Sequence, residues 1–185
     1  MAQTTFSGPV KSTNGFNGGT LTIEEGTGIS TGTDTVYTSQ ITKVGNLITT
    51  HIYIDMDGLE SSTTLTDIIG VNDAANCHLG RITVANSGIV FGGSMACLET
   101  PAGGDADIDL YSAVEATGTE NAVITGLDEV ALVTAAAVWV VSTAPRAFTA
   151  SPRANDYLYL VVGVAGTAAE YTAGKFLIEL YGYEA

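Results

Sequence analysis

Two stretches, Asp156-Tyr-Leu-Tyr-Leu-Val-Val-Gly-Val-Ala165 and Lys175-Phe-Leu-Ile-Glu-Leu-Tyr-Gly-Tyr183, decide the fold class. In the first, Leu158, Leu160, Val162 and Val164 point one way, and Tyr157, Tyr159 and Val161 the other. In the second, Phe176, Ile178 and Leu180 alternate with Lys175, Leu177, Glu179 and Tyr181. A period of two in short, aromatic-rich runs is the signature of a half-buried strand. Gly166 to Gly174 supplies small residues for a reversal, so the two runs are expected to pair as a closing β-hairpin. The tyrosine-bearing outer row is too apolar for a freely solvated face, and a second sheet or a neighbouring subunit is expected to cover it.

Working outward, Thr35 to Val44 and Leu47 to Asp55 read as strands joined at Gly45-Asn46, a pair suited to a tight hairpin turn. In the latter, Ile48, Thr50, Ile52 and Ile54 share one face, and Leu47, Thr49, His51, Tyr53 and Asp55 the other. Further strands are expected at Thr20 to Glu24, Leu65 to Val71, Leu79 to Ala85, Ile89 to Glu99, Ala106 to Val114, Asn121 to Thr125 and Ala137 to Thr143. Gly92-Gly93 inside one of them suggests a bulge. Leu127 to Ala137 accepts either a strand or a short helix. Residues 1–19 hold Phe6, Gly8-Pro9, Val10, Asn14-Gly15 and Phe16, and read as an extended arm with two aromatic anchors ahead of a domain at residues 20–185.

The chain has 185 residues, enough for one core that buries roughly 70% of the unfolded surface. Its 22 glycines, abundant threonines and low charged fraction of 14% suit strands and turns. Six scattered basic residues stand against 20 acidic ones, a formal charge of −14. Without clustered Lys and Arg to displace counterions, nucleic-acid binding is disfavoured. Met1 to Gly15 lacks the apolar core of a signal peptide, and the run Val130 to Val141 is about half the length that spans a bilayer, so no membrane association is expected. Cys77 and Cys97 read as buried thiols.

Chemical motifs are sparse. Gly26-Thr-Gly28-Ile-Ser-Thr-Gly32 spaces its third glycine one residue too late for a dinucleotide loop, and a flexible turn is expected. Asp105, Asp107 and Asp109 alternate and could line one strand face, but the spacing of a calcium loop is missing, so a solvated acidic face is expected and no metal. His51 and His78 lack a nucleophile elbow, and structural roles are expected for both. Trp139 is expected in the core. No cofactor is expected.

Three segments carry a resemblance: Phe6-Ser-Gly-Pro-Val-Lys-Ser-Thr-Asn-Gly-Phe16; the central Asp67-Ile-Ile-Gly-Val71, His78-Leu-Gly-Arg-Ile82 and Cys97-Leu-Glu-Thr-Pro-Ala-Gly-Gly-Asp-Ala-Asp-Ile-Asp-Leu-Tyr111; and Tyr171-Thr-Ala-Gly-Lys-Phe-Leu-Ile-Glu-Leu-Tyr-Gly182. They resemble tailed-phage virion proteins, notably of marine phages, that decorate or cement the capsid. The resemblance implies an all-β, jelly-roll-like antiparallel β-sandwich forming homotrimers. It also implies a place on the outer capsid surface of the virion, made in the host cytoplasm, with the major capsid protein as partner and no catalysis. Phe6, Pro9, Val10, Phe16, Tyr157, Tyr159, Tyr181 and Tyr183 are the expected capsid or subunit contacts. A head-surface or fibre-like module that binds host glycans through exposed tyrosines is the alternative, and a depolymerase is a third reading without a motif.

Overall fold

Alternation along the chain produces strands wherever an apolar row can be buried. The computed structural model describes residues 21–134, 137–164, 166 and 168–184. The arm contacts Phe6, Pro9, Val10 and Phe16 lie outside the described residues.

Among the described residues ten strands run in the order β1 (Val36–Val44), β2 (Leu47–Asp55), β3 (Glu60–Ser61), β4 (Ile89–Ala102), β5 (Ile108–Ala113), β6 (Glu129–Val133), β7 (Arg146–Ala147), β8 (Tyr157–Val162), β9 (Ala169–Glu170) and β10 (Ala173–Tyr183). All named pairings are antiparallel. They form a five-stranded sheet, β1-β2-β10-β4-β7, a three-stranded sheet, β6-β5-β8, and the small pair β3-β9. Two four-residue helices, α1 (Thr27–Ser30) and α2 (Val84–Ser87), are the only α-helices among the described residues. The protein is an all-β antiparallel sandwich.

The inner rows of the two larger sheets meet in one core. Ile52 and Ile54 of β2, Met95 of β4, and Phe176, Ile178 and Leu180 of β10 join Ile108 and Leu110 of β5, Leu132 of β6, and Leu158, Leu160 and Val162 of β8 in it. Burying each such side chain is worth about 1.5–3 kcal/mol. Trp139 closes this core at the β4 side. Its ring stacks edge-on to Phe176 at 5.5 Å, its indole N–H donates to the Ile108 carbonyl at 2.8 Å, and the Arg146 guanidinium lies 3.8 Å over its face.

The β1–β2 hairpin forms as its sequence predicts. Val44 opposes Leu47 across Gly45-Asn46, and Gly45 takes the positive φ of +61° that the tight turn needs. The expected hairpin of the two closing stretches does not form. β8 pairs with β5, while β10 enters between β2 and β4, so the two strands face one another across the core instead of sharing hydrogen bonds. Alternation specifies a strand and its buried side, and leaves the partner to the connection. Here the connection carries β9, which pairs with β3.

Other expectations change too. Leu65 to Val71 and Leu79 to Ala85 form no named strands; residues 66–69 and 79–82 lie along the free edge of β8, while Val84 and Ala85 begin α2. Ile69 N–H donates to the Leu160 carbonyl at 2.9 Å, Leu79 N–H to that of Leu158 at 2.7 Å, and Leu158 N–H to that of Gly80 at 3.0 Å. Thr20 to Glu24 is likewise no named strand, and its described part runs along the edge of β1. Asn121 to Thr125 leads into a 3-10 turn at Ile124–Gly126, and Leu127 to Ala137 yields β6. Ala137 to Thr143 is a loop that inserts Trp139. The bulge expected at Gly92-Gly93 falls beside it: Gly92 opposes Tyr181 and Val90 opposes Gly182, which leaves Phe91 as the extra residue.

Candidate functional site

The outer face of the five-stranded sheet is the surface on which the fold gathers aromatic and ionisable side chains. Register fixes its rows, because opposed residues share a face. Thr38, Tyr53, Leu177 and Ala96 make one row, and Gln40, His51, Glu179 and Ser94 the next. Thr42, Thr49, Tyr181 and Gly92 follow, and Val44, Leu47, Tyr183 and Ile89 end the sheet.

The middle rows are polar and connected. His51 Nδ1 lies 3.1 Å from Glu179 Oε1, the Tyr181 hydroxyl donates to Glu179 Oε2 at 3.0 Å, and Ser94 Oγ is 3.5 Å from that hydroxyl. At the far end Lys175 Nζ sits 2.5 Å from Glu99 and 3.4 Å from Asp55. The ammonium holds the Glu99 carboxyl below its usual range, and the carboxylates raise Lys175 in turn. Such half-exposed pairs set orientation more than stability.

The opposite end is apolar. Val44, Leu47, Ile89, Phe91 and Tyr183 are all exposed, and the Phe91 and Tyr183 ring centroids are 6.3 Å apart. Sequence reading placed Leu47 on an outer face and a bulge near Gly92. It had no signal that these residues would converge, because they come from four strands whose register only the fold sets.

The expected contact tyrosines divide. Tyr181 and Tyr183 stand on this face, the first half-buried and the second exposed. Tyr159 does not belong to a contact surface. Its ring is fully buried by the chain's own residues, its hydroxyl donates to the Glu115 carbonyl at 2.6 Å and accepts from Gly118 N–H at 3.3 Å, and burial pushes it up to about 12. Tyr157 is half-buried between His78, 4.8 Å from its ring, and the Arg81 guanidinium at 5.5 Å. The cover foreseen for the outer row of β8 is thus supplied from within the chain. Covering a strand on both faces lets it carry the apolar run Leu158 to Val162.

His78 and His51 lie apart, one packed against β8 and the other on the outer face of the five-stranded sheet. Burial lowers His78, and it pushes the neighbouring Cys77 thiol up to about 11, so that sulfur donates weakly to the Ala74 carbonyl at 3.2 Å and is no thiolate nucleophile. The acidic run is not the solvated face expected of it: Asp107 and Asp109 are each only 5% exposed. Burial raises the Asp107 carboxyl, and its Oδ1 has no hydrogen-bond partner. Among the described residues no three His, Cys, Asp or Glu side chains are grouped to hold a metal ion. Gly26 caps α1 and Gly28 lies within it, and both pack on the strip at Ala75–His78, with Gly26 N–H donating to the His78 carbonyl at 2.8 Å. This is a tightly fitted turn, not a flexible one.

Among the described residues no helix is long and apolar enough to cross a membrane. No family model, curated protein or solved structure matches the chain.

Proposed function

We propose that the protein is a virion structural protein, a capsid decoration or cement protein that binds the outer surface of a phage head and stabilises contacts between major capsid subunits. The observation that carries the reading is the outer face of the five-stranded sheet: Tyr53, Leu177 and Tyr181 lie among the polar rows of His51 and Glu179, and the face ends in exposed apolar side chains, the mixed make-up of a protein contact. The three-segment resemblance supplies the partner, and the strong negative charge suits a protein displayed at high local concentration. As a homotrimer it would bind through several weak contacts that combine by avidity.

Cosedimentation with phage heads tests this. The intact protein is expected to pellet with heads, and Leu177→Asp and Tyr181→Ala, both on the outer row, are expected to weaken binding at least about tenfold, the loss of one well-packed contact of about 1.4 kcal/mol. Deleting residues 2–16 measures the arm's share. Failure of the intact protein to pellet, or a stable monomer in solution that ignores heads, overturns the reading.

A second reading has one observation behind it. The Tyr181, Glu179 and His51 group places a ring beside hydrogen-bonding groups, the chemistry that a sugar meets. A glycan array with no signal above background removes it.

A further inference from the structure

The apolar end of the outer face, Val44, Leu47, Ile89, Phe91 and Tyr183, is one surface: Val44 opposes Leu47, Leu47 opposes Tyr183, Tyr183 opposes Ile89, and Phe91 packs beside Tyr183. Each of the five is exposed by 41% to 77%. Together they show roughly 500 Å² of apolar surface to solvent, within the range where the largest patch of a protein is a contact site. Beside Phe91 a Cβ on Gly92 would meet nothing within 4 Å, so the face is open down to the backbone there and suits a broad, flat partner.

Two observations choose the partner. The first is charge: the chain carries −14 overall, yet Lys43 and Glu184 beside the patch pair with each other at 2.6 Å, so the patch has no net charge. A basic partner gains nothing from an uncharged patch and is drawn to the acidic surface elsewhere. An acidic partner is held off by that surface and meets least repulsion here, and the acidic body always present is another copy of the chain. The second is area. Two such patches pressed together remove about 1,000 Å² from water before any polar rim is counted, the size at which a contact becomes specific.

We infer that the apolar end is where copies of this chain meet, with Leu47, Phe91 and Tyr183 of one copy against the same surface of the next. The inference gives a surface to the self-association in the proposed function and rests on that part of the reading alone. It leaves the row of Leu177, three rows or about 20 Å along the sheet from Tyr183, free for the capsid.

Sedimentation equilibrium of the full chain from about 1 to about 100 µM tests it. A mass above that of one chain is expected. Leu47→Glu and Phe91→Glu are each expected to weaken association at least about tenfold, whereas Leu177→Asp is not. Both altered side chains of the patch are exposed, so these variants are expected to keep the Tm of the unaltered chain, which calorimetry checks. Salt gives the second measurement: because like-charged copies meet through an apolar surface, raising sodium chloride from about 20 mM to about 0.5 M is expected to tighten association several-fold. A monomer across the whole range overturns the inference, as does an assembly that neither patch variant weakens, that Leu177→Asp weakens equally, or that salt loosens. A monomer that still pellets with phage heads overturns this inference and spares the capsid reading, and an assembly that ignores heads does the reverse.

Discussion

At the scale of single residues, burial decides which side chains matter. Trp139 enters the core from a loop and is held by three different contacts: a ring, a carbonyl and a guanidinium. Trp139→Ala is expected to cost about 3–5 kcal/mol in urea unfolding, the range for deleting a buried aromatic. Asp107 is the converse, a carboxylate that burial penalises. A raised folded-state value means that its stability contribution is present below its ordinary value of 3.8 and is lost as pH rises through the folded value. Asp107→Asn should therefore show its largest stability advantage over the unaltered chain at neutral pH, with the difference shrinking as pH falls toward 4. Paired denaturation curves across that range check the sign, and a difference that grows on acidification would contradict the burial argument. The carboxylate was visible in the sequence, but its burial was not: the alternation of Asp105, Asp107 and Asp109 is equally compatible with a wet face, and only the loop carrying Trp139 closes it over.

At the scale of the element, the strands whose two faces differ were legible, and those whose two faces match were not. β2 and β10 alternate cleanly, so their inner rows could be named from spacing alone. Ile178→Ala, on the inner row, is expected to cost about 2–5 kcal/mol. Leu177→Ala, one residue away on the half-exposed outer row, is expected to cost under about 1 kcal/mol. Thermal or urea unfolding of the two variants checks the register directly, and equal losses would mean a slipped strand. β8 misled because both its faces are buried, one by the core and one by the strip around His78 and Gly118. Its tyrosines therefore looked like a surface row. The glycine before β4 shows a constraint of another kind: Gly88 has φ of +68°, and a Cβ there would stand 2.4 Å from the Tyr183 carbonyl. Gly88→Ala is expected to destabilise by about 1–3 kcal/mol through backbone strain, where calorimetry would register a lower Tm.

At the scale of the whole molecule, two properties follow from the sequence as a sum. Antiparallel all-β architecture was legible because strand and turn signals recur along the chain, whereas the pairing of distant strands depends on connections that local patterns do not encode. That is why the β1–β2 hairpin was foreseen and the place of β10 was not. The apolar end of the outer face escaped for the same reason, since Leu47, Phe91 and Tyr183 become neighbours only through β10. Net charge is the second property. With 20 acidic against six basic residues the folded state repels itself, and salt screens that repulsion. Raising sodium chloride from about 20 mM to about 0.5 M is expected to lift Tm by about 2–4 °C, what roughly 1 kcal/mol represents in a domain of this size. A Tm that falls with salt would show the paired charges on the outer face outweighing the excess.

The central place of β10 also governs the order in which the protein can be born. On the ribosome the β1–β2 hairpin emerges early and β4 soon after, yet neither can join the other until residues 173–183 have left the exit tunnel. Throughout that interval β2 and β4 each present an unpaired edge and an uncovered apolar row, the state most prone to pairing with another nascent chain. Completion is then a single insertion that makes two ladders at once, so a chain truncated before Ala173 is expected to aggregate and not to persist as a partly folded sandwich. A polysome making many copies at once would feel this hazard most, and slow emergence of residues 103–172 would lengthen it.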